Sequence, residues 1–135
     1  MAVLREAAKG IRELGLPVAF PDFTRRALAQ TLTEEFRSGA CHAGQYETSL
    51  IMAARPELVN DEERRKLADN PSSLTEAFAR GARTFEQAGG PDAYFGFPRS
   101  ATAAEGEASF STMAAALVAA IDEALAGTES RRSDR

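Results

Sequence analysis

Apolar residues recur with a helical period over much of this chain. In "AVLREAAKGIRELG", Val3, Leu4, Ala7, Ala8, Ile11 and Leu14 fall at helical spacing, which predicts an amphipathic helix stopped by Gly15. No Ser, Thr, Asp or Asn precedes it as a cap. The expectation is therefore of an element entered part-way through a larger fold. Residues 16–20, "LPVAF", form a short apolar run between that stop and a Pro-Asp turn, the pattern of a buried parallel strand. "TRRALAQTLTEEF" predicts a second helix over 24–36, with Thr24 as its cap. A further helix opens at Ala43 or Gly44 and runs to Arg55, where Pro56 ends it. Residues 56–73 are polar and broken, as expected of a surface excursion whose charge run is a solvated face.

Ser73 with Glu76 and Thr102 with Glu105 have capping-box spacing, each opening a helix. The second of these is the longest apolar-periodic stretch, with Phe110, Met113, Leu117, Ile121 and Leu125 near one face. Between them, "AYFGF" at 93–97 is a second strand candidate. No repeat or linker divides the chain, so the expectation is one domain over 1–126 and a disordered tail over 127–135. The strands are too few. A buried parallel strand needs neighbours for its N–H and C=O groups, so either these runs are not strands or the rest of the sheet lies outside this chain.

Composition narrows the class. The chain has 135 residues, 44% of them hydrophobic and 27% charged, which suits a soluble domain with its own core. A net charge of −4 leaves no basic stripe for phosphates, so nucleic acid is not an expected partner. No span or signal segment is read, so no membrane is expected. One cysteine excludes an internal disulfide and fits the cytoplasm.

The chemistry concentrates in "CHAGQYETS", residues 41–49, which holds the one histidine and the one cysteine. Stepping back from Leu50, Ile51, Ala54 and Leu58 puts Glu47 on the apolar stripe of the helix after His42. A buried carboxylate must be neutralised, hydrogen-bonded or metal-bound, since burial costs several kcal/mol. The helix dipole offsets only ~0.3–1 kcal/mol of that, and Thr48 and Ser49 are candidate hydroxyl partners. A loop histidine beside such a glutamate is an acid/base or metal-site pair. The plain alternatives are a dipole complement for Glu47 and a structural hydrogen-bonded His42. Cys41 has no second thiol at metal spacing and is read as a small buried residue. No Walker or G-x-G-x-x-G pattern is present.

"HAGQYETSLIMAARPELV", residues 42–59, resembles the creatininase (creatinine amidohydrolase) family, whose members carry H-[AG]-G-x-x-E-T-S at a helix start and a P-x-L-V ending. "FGFPRSATAAEGEASFSTMAAALVAAIDEAL" is similar to the family's G-x-P-x-x-A-T-x-x-x-G turn and C-terminal helix, and "LREAAKGIRELGLPVAF" to the helix and strand after its N-G-H-G-G-N motif. The resemblance implies an α/β fold, the three-layer α/β/α creatininase-like architecture, of which this chain carries the helix-rich C-terminal portion. It also implies that the N-terminal half, with its E-Q-H-G and N-G-H-G-G-N motifs and most metal ligands, is to be supplied from elsewhere.

The activity implied is metal-dependent hydrolysis of a C–N bond in an amide or cyclic amide, with zinc, manganese or iron as the divalent ion once the site is complete. By the same resemblance His42 is catalytic, as the proton shuttle facing substrate. Glu47 is catalytic and metal-proximal, as a ligand or base. Cys41 stands where creatininase itself has an acidic residue, and with no tryptophan in the chain creatinine is disfavoured as substrate. Expected partners are a small-molecule amide, an N-terminal half chain or full-length relative, and further copies in a homo-oligomer. The alternative is an inactive truncated remnant that acts only by binding.

Overall fold

The computed structural model describes residues 1–39 and 42–133. Cys41 lies outside the described residues, and so does the reading placed on it. Seven helices are described: α1 (Ala2–Glu13), α2 (Arg26–Ala29), α3 (Glu34–Ser38), α4 (Gln45–Ala54), α5 (Asp61–Arg64), α6 (Leu74–Ala79) and α7 (Ala103–Ser133), with 3-10 turns at Pro56–Leu58 and Pro98–Ser100. The backbone groups into two compact units, Met1–Ala29 with the chain from Thr112 onward, and Gln30–Ser111.

Neither expected strand forms a ladder among the described residues. Residues 93–97 reduce to two isolated antiparallel bridges, His42 with Phe95 and Asn70 with Gly96, and residues 16–20 enter none. The physical reason is the one the sequence raises: a strand is stable only beside another, and none is at hand. The helix expected over 24–36 is broken. α2 stops at Ala29 and α3 starts afresh, with Thr33 Oγ1 accepting from the Phe36 N–H at 3.3 Å. Thr33 favours such a restart, because its hydroxyl competes with the helix ladder for the nearby backbone N–H groups. The expected surface excursion contains α5, capped by Asn60 Oδ1 accepting from the Glu63 N–H at 3.2 Å.

Both anticipated helix starts have their cap. Ser73 Oγ accepts from the Glu76 N–H and Thr102 Oγ1 from the Glu105 N–H, each at 3.2 Å. α7 then runs as far as Ser133, so residues 127–133 are helical rather than a tail. No proline interrupts them, and Thr128 donates its hydroxyl back to the Ala124 carbonyl at 3.0 Å. The stretch Ala103–Thr128 is long and apolar enough, at a mean hydropathy of 1.4, to cross a membrane by length and composition. This corrects the expectation that no segment reaches that length. Its hydropathy comes from Phe110, Met113, Leu117, Val118, Ile121 and Leu125 together with many alanines, which also make it a strong helix former.

In the first unit only Ala8 and Asp22 are buried among the described side chains. Asp22 organises it. Arg5 Nε donates to Oδ2 at 2.6 Å, and the Thr24 hydroxyl and N–H donate to Oδ1 at 2.6 and 3.1 Å. Most large apolar side chains of α1 are exposed, Val3 to 80% and Leu4 to 54%. In the second unit Phe95, wholly buried, centres a cluster with Ala77 and Ala88, against which Leu74, Ala82 and Phe85 pack. Arg64 is buried too, its Nη1 donating to the carbonyls of Pro98 and Arg99 at 2.8 and 2.7 Å.

Candidate active site

The site is built at the start of α4, in the second unit. Gly44 precedes the helix and offers no side-chain cap. The first-turn N–H groups need acceptors, and a carboxylate from α3 provides them. Glu35, only 5% exposed, accepts from the N–H of Gln45 at 2.8 Å and of Tyr46 at 2.7 Å. Edge-on packing of Phe36 against Tyr46, with ring centroids 5.1 Å apart, holds α3 and α4 together.

His42 sits just before this helix. Its N–H donates to the Phe95 carbonyl at 3.4 Å, and the Phe95 N–H donates back at 2.7 Å. Its imidazole packs against the Phe85 ring, centroid to centroid 4.6 Å. Ala43 then takes a left-handed conformation, φ 50°, and its N–H donates to Glu47 Oε2 at 2.7 Å. That turn brings the two expected residues together: His42 Nδ1 lies 3.9 Å from Glu47 Oε2.

Glu47 is not buried. Its side chain is 47% exposed and that of His42 40%. The inward stripe of α4 is instead Tyr46 and Ser49, continuing to Ala53, rather than the stripe of Leu50, Ile51 and Ala54. Ser49 and Ala53 take the inward side where α7 approaches closely: a Cβ on Gly106 would lie 2.0 Å from the Ser49 carbonyl oxygen. The larger apolar residues are left facing a groove of about 600 Å3, bordered by Glu47, Thr48, Leu50, Ile51, Leu58 and Leu67. Neither expected hydroxyl partner turns to Glu47. Thr48 Oγ1 donates to the Ala43 carbonyl at 3.5 Å, and Ser49 Oγ accepts from the Thr102 N–H at 3.0 Å.

The buried carboxylate that the sequence places at Glu47 is therefore Glu35. Its pattern gives no signal, since "TEEF" reads as a solvated helix start. The Gln45 amide, also overlooked, donates to Glu105 Oε2, while Glu105 Oε1 is buried without a protein partner among the described residues. A divalent ion in a catalytic site takes about three protein donors. Among the described residues no group of three or more His, Cys, Asp or Glu side chains gathers in a way that would hold one. His42 and Glu47 are two donors, so these residues do not make a metal centre by themselves.

The family model described as creatinine amidohydrolase matches residues 1–121. The chain belongs to the creatininase family. Neither the curated proteins nor the solved structures contain a match to it. For a creatininase-family chain an amidohydrolase type of function follows, and the fold is creatininase-like, here helix-rich. The family is generally metal-dependent, which makes the shortage of donors around His42 and Glu47 the main feature the site has to account for.

Proposed function

We propose that this chain supplies the proton-transfer wall of an amidohydrolase site that cleaves a C–N bond of an amide or cyclic amide. The observation that carries the reading is the His42–Glu47 pair, 3.9 Å apart, half-exposed and held by backbone bonds at a helix start. Glu47 is the base for the attacking water, and its carboxylate is anchored at one oxygen by the Ala43 N–H. His42 returns a proton to the departing nitrogen, which leaves as the neutral amine. The pair is open enough for a substrate to reach both groups, and the apolar groove beside Glu47 suits the body of a small amide.

A divalent ion of the kind the family uses, zinc, manganese or iron, would need donors from outside the described residues besides His42 and Glu47. A polypeptide bearing the family's N-terminal motifs is the partner that would bring them, along with further strands for a three-layer α/β/α sheet. Assembly as a homo-oligomer in the cytoplasm belongs to the same reading. The test is to co-produce the chain with such a polypeptide, add zinc or manganese, and assay hydrolysis of simple amides and cyclic amides. Glu47→Gln and His42→Asn are each expected to lower kcat by about 100-fold or more. Unchanged turnover in both variants would refute the assignment.

A second reading, an inactive chain that only binds a relative, is favoured by the same shortage of metal donors. Association with the co-produced polypeptide but no turnover in any metal would select it.

A further inference from the structure

Glu35 lies on α3, away from His42 and Glu47 in sequence, yet its carboxylate touches both sides of the site. Oε1 accepts from the N–H of Gln45 at 2.8 Å and of Phe97 at 2.6 Å, and Oε2 accepts from the N–H of Tyr46 at 2.7 Å. A carboxylate is kept at 5% exposure only where strong donors replace water, and three backbone N–H groups do so through charge-assisted bonds. These bonds do two separate things. They cap α4, which has no cap of its own, and they tie the start of α4 to the segment carrying Phe95 and Phe97.

His42 is suspended between those two anchors. It is paired by backbone to Phe95 on one side, and joined through the left-handed Ala43 to α4 on the other. Glu47, in the first turn of α4, moves with the helix start. We propose that Glu35 is the positioning residue of this site: by clamping α4 to the 95–97 segment it fixes the imidazole of His42 relative to the carboxylate of Glu47. Gly44 is part of the clamp. A Cβ there would stand 2.6 Å from Glu35 Oε1 and 2.4 Å from the Phe95 carbonyl oxygen, so a side chain would push the two anchors apart. The inference rests on His42 and Glu47 being the site, and it adds a residue that touches neither substrate nor metal.

The test uses the full chain and needs no turnover. His42 is the one histidine, so its ring protons are assigned in an NMR spectrum without ambiguity. Packed 4.6 Å from the Phe85 ring, they carry ring-current shifts away from their unstructured values. Glu35→Gln keeps the shape but replaces an acceptor oxygen with an NH2 group that cannot take an N–H bond. It is expected to reduce those ring-current displacements by half or more. Asn60→Ala, which removes the cap of α5, is the control: it is expected to lower the thermal midpoint and leave the His42 ring shifts in place.

Glu35→Gln with a lowered midpoint and unmoved His42 signals would reduce Glu35 to a structural role and overturn the proposal. Should that variant not fold, Gly44→Ala carries the test, with the same loss of ring-current displacement expected and unmoved signals overturning it. On the unaltered chain, amide exchange at Gln45, Tyr46 and Phe97 is expected to be slow at all three. Fast exchange at Phe97 beside slow exchange at Gln45 would also overturn the clamp. Because these readouts are independent of hydrolysis, their failure is distinguishable from unchanged turnover in Glu47→Gln, which refutes the site itself.

Discussion

Gly106→Ala in α7 tests how α4 is seated. In an open helix interior this change stabilises by ~1 kcal/mol, because Gly loses more backbone entropy than Ala. Here the added Cβ would meet the Ser49 carbonyl oxygen at 2.0 Å, the Ser49 carbonyl carbon at 2.6 Å and the Ala53 Cβ at 2.8 Å. The first two are backbone atoms of α4 and cannot rotate away, so the helices must separate. Overpacking of this kind costs ~1–3 kcal/mol. Separation would also stretch the bond from the Thr102 N–H to Ser49 Oγ, now 3.0 Å, a further loss of ~1 kcal/mol. The clash therefore outweighs the propensity gain, leaving a net destabilisation of ~1–3 kcal/mol.

Urea unfolding of the second unit, followed by amide signals of α4, measures it. With a denaturant slope of ~1–3 kcal/mol/M the midpoint should fall by about 1 M. Gly10→Ala in α1 is the matched control, since nothing lies within 4 Å of its added Cβ. That variant should be neutral or gain up to ~1 kcal/mol. A Gly106→Ala midpoint at or above that of the unaltered chain would refute the close approach of the two helices.

Two further outcomes follow from charged groups. The Arg5 guanidinium and the Thr24 hydroxyl hold the Asp22 carboxyl down to about 2. A carboxylate lowered on folding contributes stability that is whole above its unfolded value of ~3.9 and is lost as pH falls towards 2. The first unit should therefore lose stability between pH 4 and pH 2, and Asp22→Asn should flatten that dependence; an unaltered slope in urea midpoints would contradict it. Arg64→Met strands the carbonyls of Pro98 and Arg99 without their donor. It should cost ~2–4 kcal/mol in thermal unfolding, and a loss below 0.5 kcal/mol would show those bonds to be incidental.

Local signals in the sequence carried far. The helices α1, α4 and α7 follow from apolar spacing, and the caps at Ser73 and Thr102 from hydroxyl-to-glutamate spacing. The pairing of His42 with Glu47 was legible through "HAGQYETS", because a short loop before a helix leaves few ways to place them. The side on which Glu47 lies was not legible. Periodicity finds a stripe of large apolar residues and assumes that it faces inward, but a glycine on a distant helix draws Ser49 and Ala53 inward instead. Glu35 was invisible for the same reason. Its donors lie on another helix, at Gln45 and Tyr46, and 62 residues on, at Phe97, and nothing in "TEEF" distinguishes a buried carboxylate from a solvated one. The strands at 16–20 and 93–97 have the residue types of strands, yet residue type cannot supply a neighbour to bond with.

The bare flank of α1 has a colloidal consequence. With Val3, Leu4 and Ile11 turned outward, what keeps separate molecules from sticking is mutual repulsion from their like charge. That repulsion is modest at a net charge of −4 and vanishes near the isoelectric point of 5.1. Mildly acidic buffers should therefore be where this polypeptide clouds, well before the Asp22 carboxyl takes up a proton.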